Sequence, residues 1–237
     1  EQETEEIDDY AVHLFLTQEG YFKKITPQSL RMSGEQKLKE GDAVAWHIER
    51  GNGAELLFFT NMQQVYKARA CDFDDTKASL LGDYIPAKLE FDPDEKAVML
   101  AVTKDYHETI LFFFDCGRVA KVPLSSYEAK TRRKKLGNAY CAKFPLIHAE
   151  VLEEEREFVL TSSAKRKLIF SSAMVPLKTT RDTQGIQVMT VKKNHYVQSV
   201  EGFEEGRLAN SHRFRARNLP AAGALVRPED EGEQLML

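Results

Sequence analysis

A chain of 237 residues that is 42% hydrophobic and 30% charged can bury one sizeable core or two small ones, and its mean hydropathy of −0.44 is that of a water-exposed protein. It holds no run of 18 apolar residues and opens on acids, so neither a membrane span nor a targeting segment is expected. The formal charge of −4 is unevenly spread: residues 1–9 hold six acids and no base, 227–237 hold four acids and one base, and the body between them carries 27 acids against 32 bases, about +5.

The acidic stretch 1–9 reads as a linker, and a chain that starts on Glu1 is expected to be cut from a longer polypeptide. LFLTQEGYFKK (14–24) follows, an apolar strand, a tight polar turn and a second short strand, which is the pattern of a β-hairpin. AVAWHI (43–48) is a further strand, and LFFTNMQQVYK (57–67) a second hairpin with a Thr and a Lys at the same offsets. VMLAV (98–102) then precedes LFFFDCGRVAK (111–121), which has Phe114 at the Thr position, Gly117 matching Gly20 and Lys121 matching Lys24. After the basic run KTRRKKLGNAYCAK (130–143) come the strand HAEVL (148–152) and a fourth hairpin, FVLTSSAKRKL (158–168), aligned on Thr161. VQSV (197–200) is expected to open a degenerate fifth unit, and 227–237 reads as an acidic tail.

Aligned on Thr17, Thr60, Phe114 and Thr161, the units recur at spacings of 43, 54 and 47 residues. Short strands repeating at this period, punctuated by Pro and Gly and without a helical stretch of a dozen residues, predict an all-β, propeller-like array of hairpin blades over 10–226.

These copies resemble something specific. Units of the form apolar-apolar-x-T-x-x-G-x-x-K-K, joined by SGEQKLKEGDAV (33–44) and TRDTQGIQVMTV (180–191), are similar to the C-terminal domain found in the A subunits of DNA gyrase and of the related topoisomerase IV. TQGIQVM and KLKEGDAV carry the likeness most closely; it covers roughly residues 10–200 and, more loosely, HRFRARNLPAAG (212–223). The resemblance implies a β-pinwheel, with five blades expected and six as the alternative. It implies a DNA-binding, DNA-bending domain without the active-site Tyr, whose partners are double-stranded DNA, the same subunit's catalytic domain and the ATPase B subunit. Such a fragment would need no cofactor of its own, ATP and Mg²⁺ serving the parent enzyme, and would be cytoplasmic and nucleoid-associated. The family's Q-R-R-G-G-K-G box is absent: SLRMSGEQK (29–37) lacks it, and TRRKKLGNAY (131–140) keeps an Arg pair and one glycine. That departure points to a topoisomerase IV-like or divergent gyrase-like parent.

Phosphate binding needs positive charge along a face and little sequence information. The densest candidates are Lys130, Arg132, Arg133, Lys134 and Lys135, with arginine forks and mobile lysine charges in one segment. Lys23, Lys24, Lys67, Arg69, Arg118, Lys121, Lys165, Arg166 and Lys167 fall at or just past equivalent hairpin turns, and Arg181, Lys192 and Lys193 extend the series. Asp72, Asp74, Asp75 and Glu153 to Glu155 interrupt it.

The rival class is a propeller that serves as a protein-interaction module without DNA binding. Phe58, Phe59 and Phe112 to Phe114 are expected in the core, Trp46 likewise, and His47 exposed or hydrogen-bonded. The six histidines are scattered without metal spacing or acid pairing, and the three cysteines, Cys71, Cys116 and Cys141, read as buried thiols. No catalytic residue and no metal site are expected, since nucleophile-elbow and Walker A patterns are missing.

Overall fold

The computed structural model describes residues 6–129 and 133–231. In chain order the strands are β1 (Ala11–Thr17), β2 (Tyr21–Ile25), β3 (Val44–Gly51), β4 (Glu55–Thr60), β5 (Val65–Arg69), β6 (Asp83–Tyr84), β7 (Ala97–Thr103) and β8 (Thr109–Phe114). There follow β9 (Arg118–Pro123), β10 (Lys135–Leu136), β11 (Leu146–Leu152), β12 (Glu157–Ser162), β13 (Arg166–Ser171), β14 (Ile186–Gln187), β15 (Val197–Gly202) and β16 (Ala224–Leu225). The α-helices, Pro27–Met32 and Ile85–Lys88, are short, and no helix among the described residues is long and apolar enough to cross a membrane.

The described strands form four antiparallel sheets of four strands each, ordered β3-β1-β2-β6, β10-β5-β4-β7, β11-β8-β9-β14 and β15-β12-β13-β16. All four expected hairpins are present, each at the centre of one sheet. The fourth strand of each of the first three sheets comes from the far side of the next hairpin in sequence: β6 follows β4–β5, β10 follows β8–β9, and β14 follows β12–β13. Central strands are therefore paired along both edges. β4 (ELLFFT) and β8 (TILFFF) are buried at every position after the first, which is why they read as unbroken apolar runs. β3, at a sheet edge, alternates instead. Trp46 and Ile48 pack inward, while His47 and Glu49 are exposed.

The chain divides into two compact units, Glu1–Tyr106 with Ala129–Ala139, and His107–Glu128 with Tyr140–Leu237. The first unit holds two sheets around Leu14, Leu16, Phe22, Leu56, Phe58 and Leu100, with Phe22 edge-on to Phe58 at 5.8 Å. The second holds the other two sheets around Leu111, Phe113, Phe158, Leu160, Phe170 and Val188. Each fully buried side chain of this size contributes about 1.5–3 kcal/mol, and the expected phenylalanine core is confirmed. Cys141 is buried, Cys71 and Cys116 are half-buried, and all three are free thiols.

One turn recurs four times. Gly20, Gln63, Gly117 and Lys165 all have positive φ (100°, 53°, 87° and 59°) and donate their N–H to the carbonyls of Thr17, Thr60, Phe114 and Ser162 at 3.0–3.3 Å. The strand register shifts at Leu16/Thr17, Phe59/Thr60 and Thr161/Ser162, and on the partner strand between Leu146 and His148 opposite Phe114. The fourth copy thus aligns on Ser162, not Thr161, and its spacing from Phe114 is 48 residues. Position 169, the counterpart of Lys24 and Lys121, is then an isoleucine, and the basic residues of that copy sit in the turn (Lys165) and at the start of β13 (Arg166 and Lys167).

Five blades were expected, and the described residues account for four sheets. VQSV does not open a fifth unit: Val197–Gly202 pairs with β12 as an edge of the fourth sheet. Between β15 and β16, where a further hairpin would lie, 203–223 forms loops and one 3-10 turn (Ser211–Arg213) that send Phe214 into a small cluster with Val159 and Ile169.

The acidic segments are tied in at their inner ends. Asp9 accepts from Gly53 N–H at 2.8 Å and pairs with Lys104 at 3.2 Å. Asp230 is fully buried, ion-paired with Arg213 and hydrogen-bonded to Asn210. Foremost the Arg213 guanidinium, and then the Arg227 N–H and Asn210, bring the Asp230 carboxyl down to about 2 against the opposing effect of desolvation. A carboxyl depressed on folding adds stability that is present above its unfolded pKa, near 3.9, and is lost as pH falls through about 2. Carbon-detected NMR titration should find that low midpoint, and Arg213→Gln should raise it. A midpoint unmoved by the substitution would remove Arg213 as the cause.

Candidate nucleic-acid interface

Three of the expected phosphate contacts are internal. The Lys23 ammonium is buried and donates to the Lys37 and Ala78 carbonyls at 3.2 and 3.0 Å, and its desolvation lowers the lysine pKa. Lys24 donates to Asn52 at 2.7 Å and to the Ala70 carbonyl at 3.2 Å, with Asp75 at 3.4 Å. Lys121, its counterpart in the third sheet, pairs with Glu155 and donates to the Ser172 carbonyl at 3.1 Å. Burial alone would raise the Glu155 carboxyl, but hydrogen bonds from Lys121 and Ser172 outweigh it and hold the group below its ordinary value. Asp75 and Glu155, which look in sequence like interruptions of a basic face, are the counterions of buried lysines. An ammonium so partnered cannot reach a phosphate without leaving buried carbonyls unsatisfied.

Other bases organise the backbone. Arg118 donates to the carbonyls of Gln184 and Gly185 at 3.0 and 2.7 Å, and Arg166, at the equivalent position, donates to the Gly223 carbonyl at 2.9 Å. Arg181 donates to the Ser126 carbonyl at 3.3 Å, and Arg69 donates from Nε and Nη2 to the single oxygen Asp72 Oδ1 at 3.2 and 3.0 Å.

The remaining bases lie in two groups, one in each unit. In the first unit, Arg133 and Lys134 are exposed and make no ion pair among the described residues. The chain there runs beside β5, Lys67 N–H donating to the Lys134 carbonyl at 2.7 Å, and Lys67 extends over the Tyr106 ring at 5.2 Å. Lys135 lies over Tyr66 and is partly neutralised by Asp92 at 3.2 Å. Lys130 and Arg132 lie outside the described residues.

In the second unit, Lys165, Lys192 and Lys193 are exposed and are brought together by the fourth hairpin turn. Ser163 N–H donates to the Tyr196 carbonyl at 2.8 Å, Tyr196 N–H returns to Ser163 Oγ at 3.0 Å, and Ser163 Oγ meets His195 Nδ1 at 2.9 Å. This hooks the 192–196 loop onto the turn that carries Lys165. Lys167, half-buried, lies two residues further along β13. Sequence reasoning missed His195 and Tyr196, although KKNHY is contiguous with Lys192 and Lys193; Tyr196 is 51% exposed. It also missed Lys143, exposed above the Phe144 ring at 5.5 Å in the equivalent loop of the third sheet. At this end of their sheets the first unit instead places Glu19, Asp42, Asp92 and Asp94 among Lys39 and Lys96. The expected even series of bases is therefore concentrated: the loops of the third and fourth sheets carry lysines where the first two carry mixed charge.

No protein-family model matches the chain. Among curated proteins it is 25% identical over 206 residues to the A subunit of DNA gyrase from Streptomyces coelicolor, covering 81% of this chain and 24% of that protein. It is 26% identical over 195 residues to the A subunit of DNA topoisomerase 4 from Staphylococcus epidermidis, covering 80% and 24%. The chain spans about a quarter of the length of these curated relatives. Among solved structures, the C-terminal domain of DNA topoisomerase IV superposes with a TM-score of 0.78 at 19% identity over 96% of this chain and 77% of the other. The Escherichia coli ParC C-terminal domain gives 0.70 at 14% identity over 92% and 94%.

Proposed function

Since the chain is related in sequence to the A subunits of DNA gyrase and topoisomerase IV and has the fold of their C-terminal domains, we propose that it binds and bends duplex DNA and presents it for strand passage. The observation that carries this reading is the hooking of the 192–196 loop onto the fourth hairpin turn, which gathers Lys165, Lys192 and Lys193 on an exposed surface beside Tyr196. Lys143 and the Arg133–Lys134 pair supply further exposed charge. Such groups neutralise phosphates without reading bases, so the binding is nonspecific and acts through DNA shape. On this reading the partners are the same subunit's catalytic domain and the ATPase B subunit. Cleavage, ATP and Mg²⁺ belong to those parts, and the site of action is the cytoplasmic nucleoid. The weakened Q-R-R-G-G-K-G box favours a topoisomerase IV-like or divergent gyrase-like parent.

Gel-shift titrations of the chain on duplexes of unrelated sequence should show similar affinities and a steep salt dependence. About six phosphate contacts correspond to a loss of roughly three decades in affinity between 50 and 200 mM salt. Binding indifferent to salt, or absent at low salt, would sink the proposal and leave a protein-interaction module as the better reading.

A further inference from the structure

The sequence disperses its histidines, yet strand pairing brings two of them to one carboxylate. β1 and β3 pair with His13 opposite Glu49 and Phe15 opposite His47, so all four side chains share the face turned away from Leu14, Leu16, Trp46 and Ile48. Phe15 stacks flat on the His47 ring, 4.1 Å between centroids at an interplanar angle of 11°, and fixes its orientation. His13 Nδ1 lies 2.9 Å from His47 Nε2 and 3.5 Å from Glu49 Oε1.

We propose that His13, His47 and Glu49 form a binding site for a divalent transition metal ion of the zinc class. Two imidazole nitrogens facing each other at 2.9 Å can share only one proton, and a Glu49 carboxylate oxygen lies within 4.8 Å of both, so three donor atoms are gathered on one face of the strand pair. Tetrahedral zinc, with bonds of about 2.0–2.1 Å, holds its ligand atoms about 3.3 Å apart, and the separations of 2.9 and 3.5 Å straddle that value. Two nitrogens and one oxygen suit Zn²⁺, Co²⁺, Ni²⁺ or Cu²⁺, whereas Ca²⁺ and Mg²⁺ take all-oxygen shells. The Glu49 side chain is 74% exposed and that of His13 15%, so an ion can enter from solvent and complete its coordination with water. Bound there, it would clamp the edge strand β3 onto β1 and hold the register of the first sheet.

Isothermal titration of the EDTA-stripped chain with Zn²⁺ should show one saturable site that His47→Gln weakens. The loss should be at least the tenfold that follows removal of even an outer-shell partner. Co²⁺ should give the visible absorption of a low-coordinate nitrogen–oxygen site, lost in the same variant, and His212→Gln should behave as the unmodified chain. Absence of a saturable site, or a His47→Gln isotherm that matches the unmodified chain, would overturn the proposal. Should His47→Gln lose its melting transition through the missing Phe15 contact, Glu49→Gln decides in its place. A weakened Zn²⁺ isotherm and altered Co²⁺ spectrum support the site, and unchanged ones refute it.

Discussion

Gly185→Ala is expected to destabilise the second unit by more than about 3 kcal/mol, among the larger effects a single methyl can have. Gly185 sits at φ +63° in the TQGIQVM segment, where an L residue is disfavoured by about 1–2 kcal/mol. An added Cβ would also run into the Val119 carbonyl and lie 2.6 Å from Ala120 Cα. Both neighbours are backbone of β9, and the segment around Gly185 is held there closely. Arg118 grips the Gln184 and Gly185 carbonyls, Gln187 Nε2 donates to the Cys116 and Met189 carbonyls at 2.7 and 2.8 Å, and Val188 and Met189 N–H both donate to the Gly117 carbonyl. Relieving the clash means parting β14 from β9 and losing those bonds. Gly82 repeats the arrangement in the first sheet, where a Cβ would meet the Phe22 carbonyl. For a chain of this size about 3 kcal/mol corresponds to a fall in Tm of roughly 6–12 °C. Gly137→Ala is the contrast, because a Cβ there meets nothing within 4 Å, and it should stay within about 0.5 kcal/mol. A Gly185→Ala melt that coincides with the parent would show that β9 yields without cost.

Local pattern accounts for what the sequence shows of this fold. The four hairpins are legible because their first strands, β4 and β8 most fully, are buried along almost their whole length and read as apolar runs ahead of a polar turn. The alignment on Thr161 fails because VLTSS offers three adjacent hydroxyl residues, Thr161, Ser162 and Ser163, and only the register shift beside Ser162 decides among them. The two-residue strands β6, β10, β14 and β16 are too short to leave a period in the sequence. The fate of Lys24 and Lys121 is set by groups 51 and 34 residues away, Asp75 and Glu155, so no local reading separates them from the solvent-facing Lys165. In the same way His13 and His47 meet only through pairing between strands 34 residues apart.

That separation of buried from exposed bases leads to the second large effect. Changing Lys165, Lys192 and Lys193 together to Gln should lower duplex affinity by roughly two to three decades at 0.1 M salt and reduce the salt slope by about 2.7, the amount for three phosphate contacts. All three side chains are exposed, so the variant should melt as the parent does. Arg133→Ala with Lys134→Ala removes the pair in the first unit and should reduce the slope by about 1.8. Ser163→Ala keeps every lysine and the Ser163 N–H bond to the Tyr196 carbonyl but loosens the 192–196 loop by removing the hydroxyl that joins His195 and the Tyr196 N–H, so it should weaken binding modestly with the slope nearly intact. Closing nicked plasmid with ligase in the presence of each variant reads bending separately from affinity. If DNA follows the charge on the fourth hairpin turn, the triple variant constrains less writhe than the parent at equal occupancy. If it constrains as much, and its salt slope is unchanged, that turn is only a solvated surface and the path of DNA lies elsewhere.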